Sequence, residues 1–268
     1  QKIGNDAGLP GFWAMHVTST PAGTIAAASS AQSGVARFVP GIPQPFRLPT
    51  RNAVYSLAMS SDGTVFTLDL QQNFLRFGSD SAGPLDLGLP EGTFVSFMAT
   101  GPEKTLYVWE PTQRSILIYD SEGTRVGMIV PQVPFDVVLG LRQFKVYPNG
   151  DLLTVFADRL VRISRDGRAL WEVHADELPE LGGLGFFGQL ELDPENGTVY
   201  LLNVQEKRIV QLLDLAAIRA TRSLTDVERR LLASNEKLRA NPYDQSALAE
   251  RAGIYEEIEA WEAAAYAW

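Results

Sequence analysis

Five segments of this chain repeat one order of residues: an apolar strand, a turn on Gly or a substitute for it, a second apolar strand, a polar gap and a third apolar strand. The turns lie in TPAGTIAAA, SSDGTVFTLD, GPEKTLYVWE, YPNGDLLTVF and PENGTVYLLN. Their marker residues are Gly23, Gly63, Lys104, Gly150 and Gly197, and successive markers are 40, 41, 46 and 47 residues apart. Self-similarity at a nearly fixed spacing indicates one structural unit repeated along the chain.

The second repeat shows the local pattern most clearly. Its first strand alternates between two sets of side chains: Val54, Ser56 and Ala58 on one side, and Tyr55, Leu57 and Met59 on the other. Asp62-Gly63 then separates this strand from the apolar run 65–68. Asp-Gly between two such runs predicts a hairpin, because Gly accepts the positive φ that a tight turn requires. A third strand is predicted at residues 74–77.

Repeats of 40 to 47 residues that contain only strands are typical of the blades of a β-propeller. A single blade would leave an apolar face in water, and packing it on the next blade removes that area at roughly 25 cal/mol per Å². We therefore predict a mainly β fold, a propeller of five blades, or of six if one blade is diverged or lies outside this chain.

The repeats resemble those of NHL-type and YVTN-like propellers, whose blades read as a strand, a DG turn, a "vyVaD" strand, a short polar loop and an "rIqvfd" strand. Asp69, Glu110 and Asn203 match the acidic position after the second strand. The resemblance implies that these side chains brace the following loop, as Asp and Asn favour local backbone hydrogen bonds.

The stretch SRDGRALWEV also resembles the repeat of quinone-cofactor propellers and of their non-enzymatic envelope relatives, through Trp171 alone. In those families the motif recurs from blade to blade. We interpret the single copy here as the outer strand of one blade, and we predict no cofactor.

The strand pattern stops after Leu215, and residues of high helix propensity follow. We therefore divide the chain into a propeller at residues 1–217 and a helical segment at 218–268. Thr225 to Glu228 has the form of a capping box, and Asn241-Pro242 is expected to end the helix that begins there.

The last segment, NPYDQSALAERAGIYEEIEAWEAAAYAW, resembles a tetratricopeptide repeat, a pair of antiparallel helices. Counted from Pro242, the small and aromatic positions of that family fall on Ala252, Tyr255, Trp261, Ala264 and Trp268, whereas Arg251 and Glu259 depart from its pattern. One such unit cannot bury its own faces, so either the chain is part of a longer protein or its helices pack on the propeller or on a partner.

The resemblance also implies a peptide groove on this helical segment. Ser246, Ala249, Gly253 and Glu256 fall at groove-lining positions of the family. The expected ligand is a basic or extended peptide. The same segment carries an acidic surface formed by Glu250, Glu256, Glu257, Glu259 and Glu262, and a solvated helix face is the alternative interpretation of it.

Composition excludes several classes of function. A net charge of −9 without a Lys/Arg cluster argues against nucleic acid as a partner. Cys is absent, which excludes disulfides and thiolate chemistry, and no apolar run is long enough for a membrane span. No nucleotide, hydrolase or metalloprotease motif is found. The candidate ligands for a metal ion in a central channel are His16, Asp69, Glu110, Asp136 and His174. Roles as turn braces, surface groups or satisfied strand residues explain them better, so we predict no metal.

These observations favour a non-catalytic protein–protein interaction scaffold that serves a multi-protein complex of the cell envelope or another compartment. The alternative is a propeller enzyme or sensor that binds a small ligand or a cation at its central channel. The sequence begins at Gln1 rather than Met. A cleaved secretion signal, and therefore a periplasmic or envelope location, is one explanation, and a recombinant boundary is the other.

Overall fold

The computed structural model is mainly β throughout the part of the chain that it describes. It describes residues 16–20, 22–28, 33–42, 44–78, 82–133, 141–156, 159–174, 187–193, 198–203, 208–212, 230, 233–234, 237–238, 241 and 244–257. The strands there form four antiparallel sheets. Consecutive strands are neighbours in every sheet, so each sheet is a meander or a pair of meanders.

Residues 1–128 form one structural unit. Its first meander comprises β1 (His16–Ser19), β2 (Ile25–Ala28), β3 (Ser33–Phe38) and β4 (Phe46–Met59), and its second comprises β4, β5 (Val65–Asp69), β6 (Phe74–Phe77) and β7 (Ala82–Pro84). The third comprises β8 (Met98–Thr100), β9 (Leu106–Glu110), β10 (Ser115–Tyr119) and β11 (Arg125–Ile129), and the unit boundary falls at the last residue of β11.

Residues 129–268 form the other unit. Its strands are β12 (Gln143–Val146), β13 (Leu152–Val155), β14 (Arg159–Ile163) and β15 (Ala169–His174) in the fourth meander, and β16 (Phe187–Leu192), β17 (Val199–Asn203) and β18 (Arg208–Leu212) in the fifth. The helix α1 (Gln245–Glu257) follows. Each of the five repeats found in the sequence therefore lies in one meander.

The long strand β4 joins the first two meanders into one seven-stranded sheet. Its beginning pairs with β3, for example Arg47 with Ala36, and its end pairs with β5, for example Leu57 with Thr67. The same strand is thus the outermost strand of one meander and the first strand of the next.

Three of the predicted hairpin turns share one geometry. In turn 60–64 the first amide donates to the carbonyl of the fifth residue at 2.9 Å, and the fourth amide donates back to the carbonyl of the first at 2.9 Å. Turns 20–24 and 147–151 show the same two bonds, whereas turn 101–105 keeps the first bond and has a bond from the Thr105 amide to the Pro102 carbonyl (3.1 Å) as its second. The fourth residue has a positive φ in each, which confirms the marker positions, including Lys104 with φ 63° in place of Gly. Gly197 lies outside the described residues.

The sequence predicted three strands in each repeat, and the structure adds a fourth in the first four. These outer strands are the first half of β4, β7, β11 and β15. Only β15 was expected, from SRDGRALWEV, and that interpretation is confirmed, because Trp171 is buried in the core of the fourth and fifth meanders. The other outer strands are largely exposed, so they lack the apolar alternation by which strands are recognised.

Buried side chains lie between consecutive meanders. One cluster joins the second and third meanders through residues such as Phe66, Leu68 and Val108. A second cluster, in the other unit, joins the fourth and fifth meanders through Leu160 and Leu190 among others. Within each unit, consecutive meanders therefore bury apolar faces on one another, as the repeat predicted.

Helix α1 begins at a side-chain cap. Asp244 Oδ1 accepts hydrogen bonds from the amides of Ser246 (3.0 Å) and Ala247 (3.1 Å), which are otherwise unpaired at a helix start. Lys237 and Leu238, before Asn241, are also helical. The tetratricopeptide hairpin and the domain boundary near residue 217 stay predictions. The capping box at Thr225, together with Trp261, Ala264 and Trp268, lies outside the described residues.

Two glycines of the first unit should differ sharply in their tolerance of a side chain. Gly123 and Gly92 have similar φ values of 89° and 81°. A Cβ on Gly123 would lie 2.4 Å from the Asp86 carbonyl oxygen, whereas a Cβ on Gly92 would meet nothing within 4 Å. We expect Gly123→Ala to lower the free energy of unfolding by about 3 kcal/mol and Gly92→Ala by about 1 kcal/mol. Equal losses in chemical denaturation would contradict the close backbone contact.

Lys104 offers a test of the turn itself. Its left-handed backbone favours glycine, and its ammonium lies 2.9 Å from Asp62 in an exposed ion pair. Lys104→Gly and Lys104→Ala both lose the ion pair, but only Gly relieves the backbone. Lys104→Gly should therefore be the more stable variant by about 1 kcal/mol in thermal or urea unfolding. A more stable Lys104→Ala would show that the turn does not have this geometry in solution.

Candidate interaction surfaces

The turn that joins β5 to β6, residues 69–73, is organised by one carboxylate. Asp69 Oδ1 accepts hydrogen bonds from the amides of Gln71 (2.8 Å) and Asn73 (2.9 Å). Its Oδ2 accepts from the side-chain amides of Asn52 (2.6 Å) and Asn73 (3.0 Å). Both oxygens are therefore occupied by groups of the protein itself.

The environment of Asp69 fixes its charge. Burial by itself would raise the pKa of the carboxyl, but the hydrogen bonds donated by Asn52, Asn73 and the two backbone amides outweigh burial and hold the pKa below its ordinary value. Asp69 is consequently ionised at neutral pH, and its hydrogen-bond acceptors are satisfied by groups of the protein.

Glu110 has the same role at the end of β9. Its Oε1 accepts from the Thr112 amide at 3.0 Å and its Oε2 from the Gln113 amide, and the residue is buried. The sequence predicted that the acidic residue after the second strand braces the next loop, and these contacts confirm it for Asp69 and Glu110. The side chain of Asn203 lies outside the described residues.

A bulge in β4 lies beside the Asp69 turn. Ser33 of β3 pairs with Ala53 of β4, and Val35 pairs with Leu48. An advance of two residues on β3 therefore corresponds to five residues on β4. Thr50 holds the extra residues in place, since its hydroxyl accepts from the Gly34 amide (2.6 Å) and donates to the Asn52 carbonyl (2.8 Å). Bulges of this kind re-aim side chains.

The bulge, the Asp69 turn, β6, β7 and segment 84–93 enclose a cleft of about 800 Å³. We refer to it as the bulge cleft. Its polar lining includes Thr50, Arg51, Asn52, Asp69 and Asn73, and its apolar lining includes Phe74, Leu75, Phe77, Leu85 and Leu87. This size and this mixture are typical of ligand-binding sites.

Two exposed apolar side chains lie next to the bulge cleft along the chain. Leu70, in the Asp69 turn, is 65% exposed, and Phe94, directly after the lining residue Thr93, is 47% exposed. The Val95 amide donates to Gln72 Oε1 at 2.8 Å, which ties the segment of Phe94 to the turn of Leu70. We refer to Leu70 and Phe94 as the apolar rim.

The residues considered for a channel metal have separate local roles. Asp69 and Glu110 brace their loops, and His16 lies on β1, where burial lowers the pKa of its imidazole. His174 lies on β15 with Nε2 3.6 Å from Glu172 Oε1, and Asp136 lies outside the described residues. Across the described ranges, no three His, Asp or Glu side chains are grouped so that they could hold a metal ion.

The peptide-groove candidates all lie on α1. Ser246 and Gly253 are exposed and Ala249 is half-buried, whereas Ala247, Ala252 and Ile254 are buried. The side chain of Glu256 lies outside the described residues. A groove there stays a prediction. In the part of the chain that the structure describes, no helix has the length and apolar character required to cross a membrane.

Comparison with known proteins identifies the class of fold. No family model matches the sequence, and no curated protein is significantly similar to it. The β-propeller domain of Cps50 (Swd1) from Myceliophteria thermophila superposes with a TM-score of 0.52 at 12% identity, over 73% of this chain and 64% of that domain.

Two further structures give similar values. Glutaminyl cyclase from Myxococcus xanthus has a TM-score of 0.51 at 11% identity, over 74% of this chain and 90% of that chain. A protein of unknown function from Bacteroides caccae has a TM-score of 0.51 at 15% identity, over 76% of this chain and 79% of that chain. These similarities confirm the β-propeller fold that the repeat predicted, and at this identity they show the fold alone.

The bulge cleft was not among the sites that the sequence predicted. Its acidic brace, Asp69, was identified, but Arg51 and the bulge were not, because FRLPTRNA has no apolar alternation. Leu70 and Phe94 could have been found as apolar residues within a polar loop and a Gly-containing connection.

Replacement of Asp69 should loosen the turn. In Asp69→Asn one acceptor oxygen becomes a donor that faces other donors, so we expect a loss of about 1–3 kcal/mol in the free energy of unfolding at pH 7. Asp86→Asn is the matched control, since the Asp86 carboxylate is exposed and accepts one bond, from the Gly88 amide at 2.8 Å. A loss as large for Asp86→Asn as for Asp69→Asn would contradict the bracing role.

The same variant gives a pH test. Because the pKa of Asp69 is lower in the folded chain than its ordinary value of about 3.9, its stabilisation is complete above about pH 5 and declines as the pH falls below about 4. The stability difference between the wild type and Asp69→Asn should therefore shrink from pH 7 to pH 3 in urea titrations. A difference independent of pH would show that the charge of Asp69 does not matter.

Proposed function

We propose that this chain is a non-catalytic protein–protein interaction scaffold, a propeller with a helical tetratricopeptide-like segment that assembles a multi-protein complex. The observation that carries the proposal is the surface at the Asp69 turn. It offers an apolar rim beside a cleft, while its buried carboxylate is occupied by four groups of the protein.

The apolar rim supports binding rather than reaction. Leu70 and Phe94 expose large apolar side chains on a turn that hydrogen bonds hold in place. Burial of such side chains by a partner would release the water around them. Because the turn is already held by hydrogen bonds, binding would lose less conformational entropy there. A buried carboxylate that accepts four protein hydrogen bonds cannot also act as a free base or cation ligand.

The helical segment supplies the second surface of the proposal. The exposed face of α1 carries Ser246, Ala249 and Gly253, and a groove there would receive a basic or extended peptide. A cell-envelope location of the complex belongs to the same proposal and rests on the sequence alone. An NHL-type ring of five or six blades would present both surfaces without any catalytic group.

The proposal predicts a partner whose recovery depends on the apolar rim. The intact chain is immobilised and exposed to extract of the organism that encodes it, as the wild type and as the double variant Leu70→Glu/Phe94→Glu. We expect a reproducible partner whose recovery falls about tenfold in the double variant, since buried apolar anchors dominate interface energies. Ile42→Glu is the matched control, because Ile42 is also an exposed apolar side chain of this unit, and it should leave recovery unchanged.

Failure to recover any partner, or equal recovery by the wild type and the double variant, would count against the proposal. Metal analysis of the purified chain tests the alternative function, a propeller enzyme or sensor. One cation per chain, lost after substitution of carboxylates from several meanders, would favour that alternative.

A further inference from the structure

We propose that the bulge cleft binds an extended segment of a partner protein, in which an apolar side chain enters the cleft and a neighbouring carboxylate pairs with Arg51. This inference rests on the proposed scaffold function and names the chemistry of the partner at one site. The juxtaposition that carries it is a guanidinium without a partner among the described residues, in the lining of the same cleft as several apolar side chains.

Arg51 is the one basic side chain among the described residues that line the cleft. It is exposed, and among the described residues no group accepts a hydrogen bond from its guanidinium. Of the two acids that also line the cleft, Asp69 is occupied by the hydrogen bonds of its turn, and Asp86 accepts from the Gly88 amide at 2.8 Å and is exposed. A guanidinium without a partner can donate two parallel hydrogen bonds to a carboxylate.

The backbone presents Arg51 in a fixed place. The Thr50 hydroxyl accepts a hydrogen bond from the Gly34 amide and donates one to the Asn52 carbonyl. Thr50 and Asn52 are the neighbours of Arg51 in the chain, so both neighbours are held. The Asn52 side chain is itself bound to Asp69 and to Gln71. Arg51 is therefore an exposed side chain on a segment whose neighbouring residues are held by hydrogen bonds, so that few groups beyond that side chain need to be ordered when a ligand binds.

The apolar lining of the cleft determines the second feature of the ligand, its apolar side chain. Phe74, Phe77, Leu85 and Leu87 line it and are nearly buried, and Leu75 is partly exposed. A cleft of about 800 Å³ holds one or two side chains of a peptide and part of its backbone.

Addition of the peptide to the edge of β7 is not part of the proposal. Pro84 lies in β7 opposite Leu75 and has no amide hydrogen to give to a new strand. Recognition must therefore come from side chains, which gives Arg51 and the apolar lining the main part.

The test uses a library of random linear peptides displayed on phage, selected on the intact wild-type chain and counter-selected on Arg51→Gln. We expect the enriched sequences to combine an apolar residue with Asp or Glu. A synthetic peptide of the enriched sequence should bind Arg51→Gln about tenfold or more weakly than the wild type, the size expected for a lost charge-assisted hydrogen bond. Fluorescence anisotropy measures the affinities, and circular dichroism checks that each variant is folded.

Two controls separate this site from a general attraction to arginine. Arg47→Gln changes an exposed arginine four residues earlier on β4, outside the lining, and should leave the affinity unchanged. A peptide whose acid is replaced by its amide should bind the wild type as weakly as the acidic peptide binds Arg51→Gln, with no further loss in that variant. The affinity of the acidic peptide should also fall with added salt, and less steeply for Arg51→Gln.

Four results would overturn the inference: no selected peptide, enrichment without acids, equal affinity for Arg51→Gln, or full competition by millimolar acetate, which would indicate a small-carboxylate site. In each case a partner that depends on Leu70 and Phe94 would leave the scaffold proposal intact, so the two can fail separately.

Discussion

The constraint on which this structure depends is that the third, fourth and fifth meanders each begin with a strand, β8, β12 or β16, whose outer edge has no neighbouring strand in its own sheet. The Met98 amide donates to Ser56 Oγ at 3.1 Å, and the Leu190 amide donates to Gln143 Oε1 at 2.5 Å. In both cases a side-chain oxygen on the first strand of one meander accepts a hydrogen bond from a backbone amide on the edge strand of the next meander. Backbone groups that would be costly to bury unpaired are thereby bound where apolar faces meet.

A recurring arginine adds a second kind of link. Arg37, Arg76 and Arg162 each precede the last residue of the third strand of their meander. Arg76 binds the Ser121 carbonyl and Glu122, in a turn of the third meander, while Arg162 binds Asp151 and lies 4.3 Å from the Tyr147 ring, within its own meander. At two of these three positions, Arg76 and Arg162, the arginine therefore ties its strand to a turn, although the turn that it reaches differs.

The sequence predicted the meanders because their turns depend on local chemistry, and turn 60–64 has the geometry expected of Asp62-Gly63. Lys104 was recognised as a glycine substitute only because the period required a turn there. The bulge cleft could not be predicted in the same way. It depends on contacts between segments far apart in the chain, such as Asn52 with Asp69, and on an outer strand that has no apolar period.

Strand direction separates the tight turns from the surface proposed to bind. In an antiparallel meander the connection from the first to the second strand and that from the second to the third lie at opposite ends. In the second meander, turn 60–64 is therefore at one end and turn 69–73 at the other. The second end also receives segment 85–97, which leaves β7 for the third meander. Two connections meet there, and the hydrogen bond from the Val95 amide to Gln72 joins them, close along the chain to the exposed residues Leu70 and Phe94.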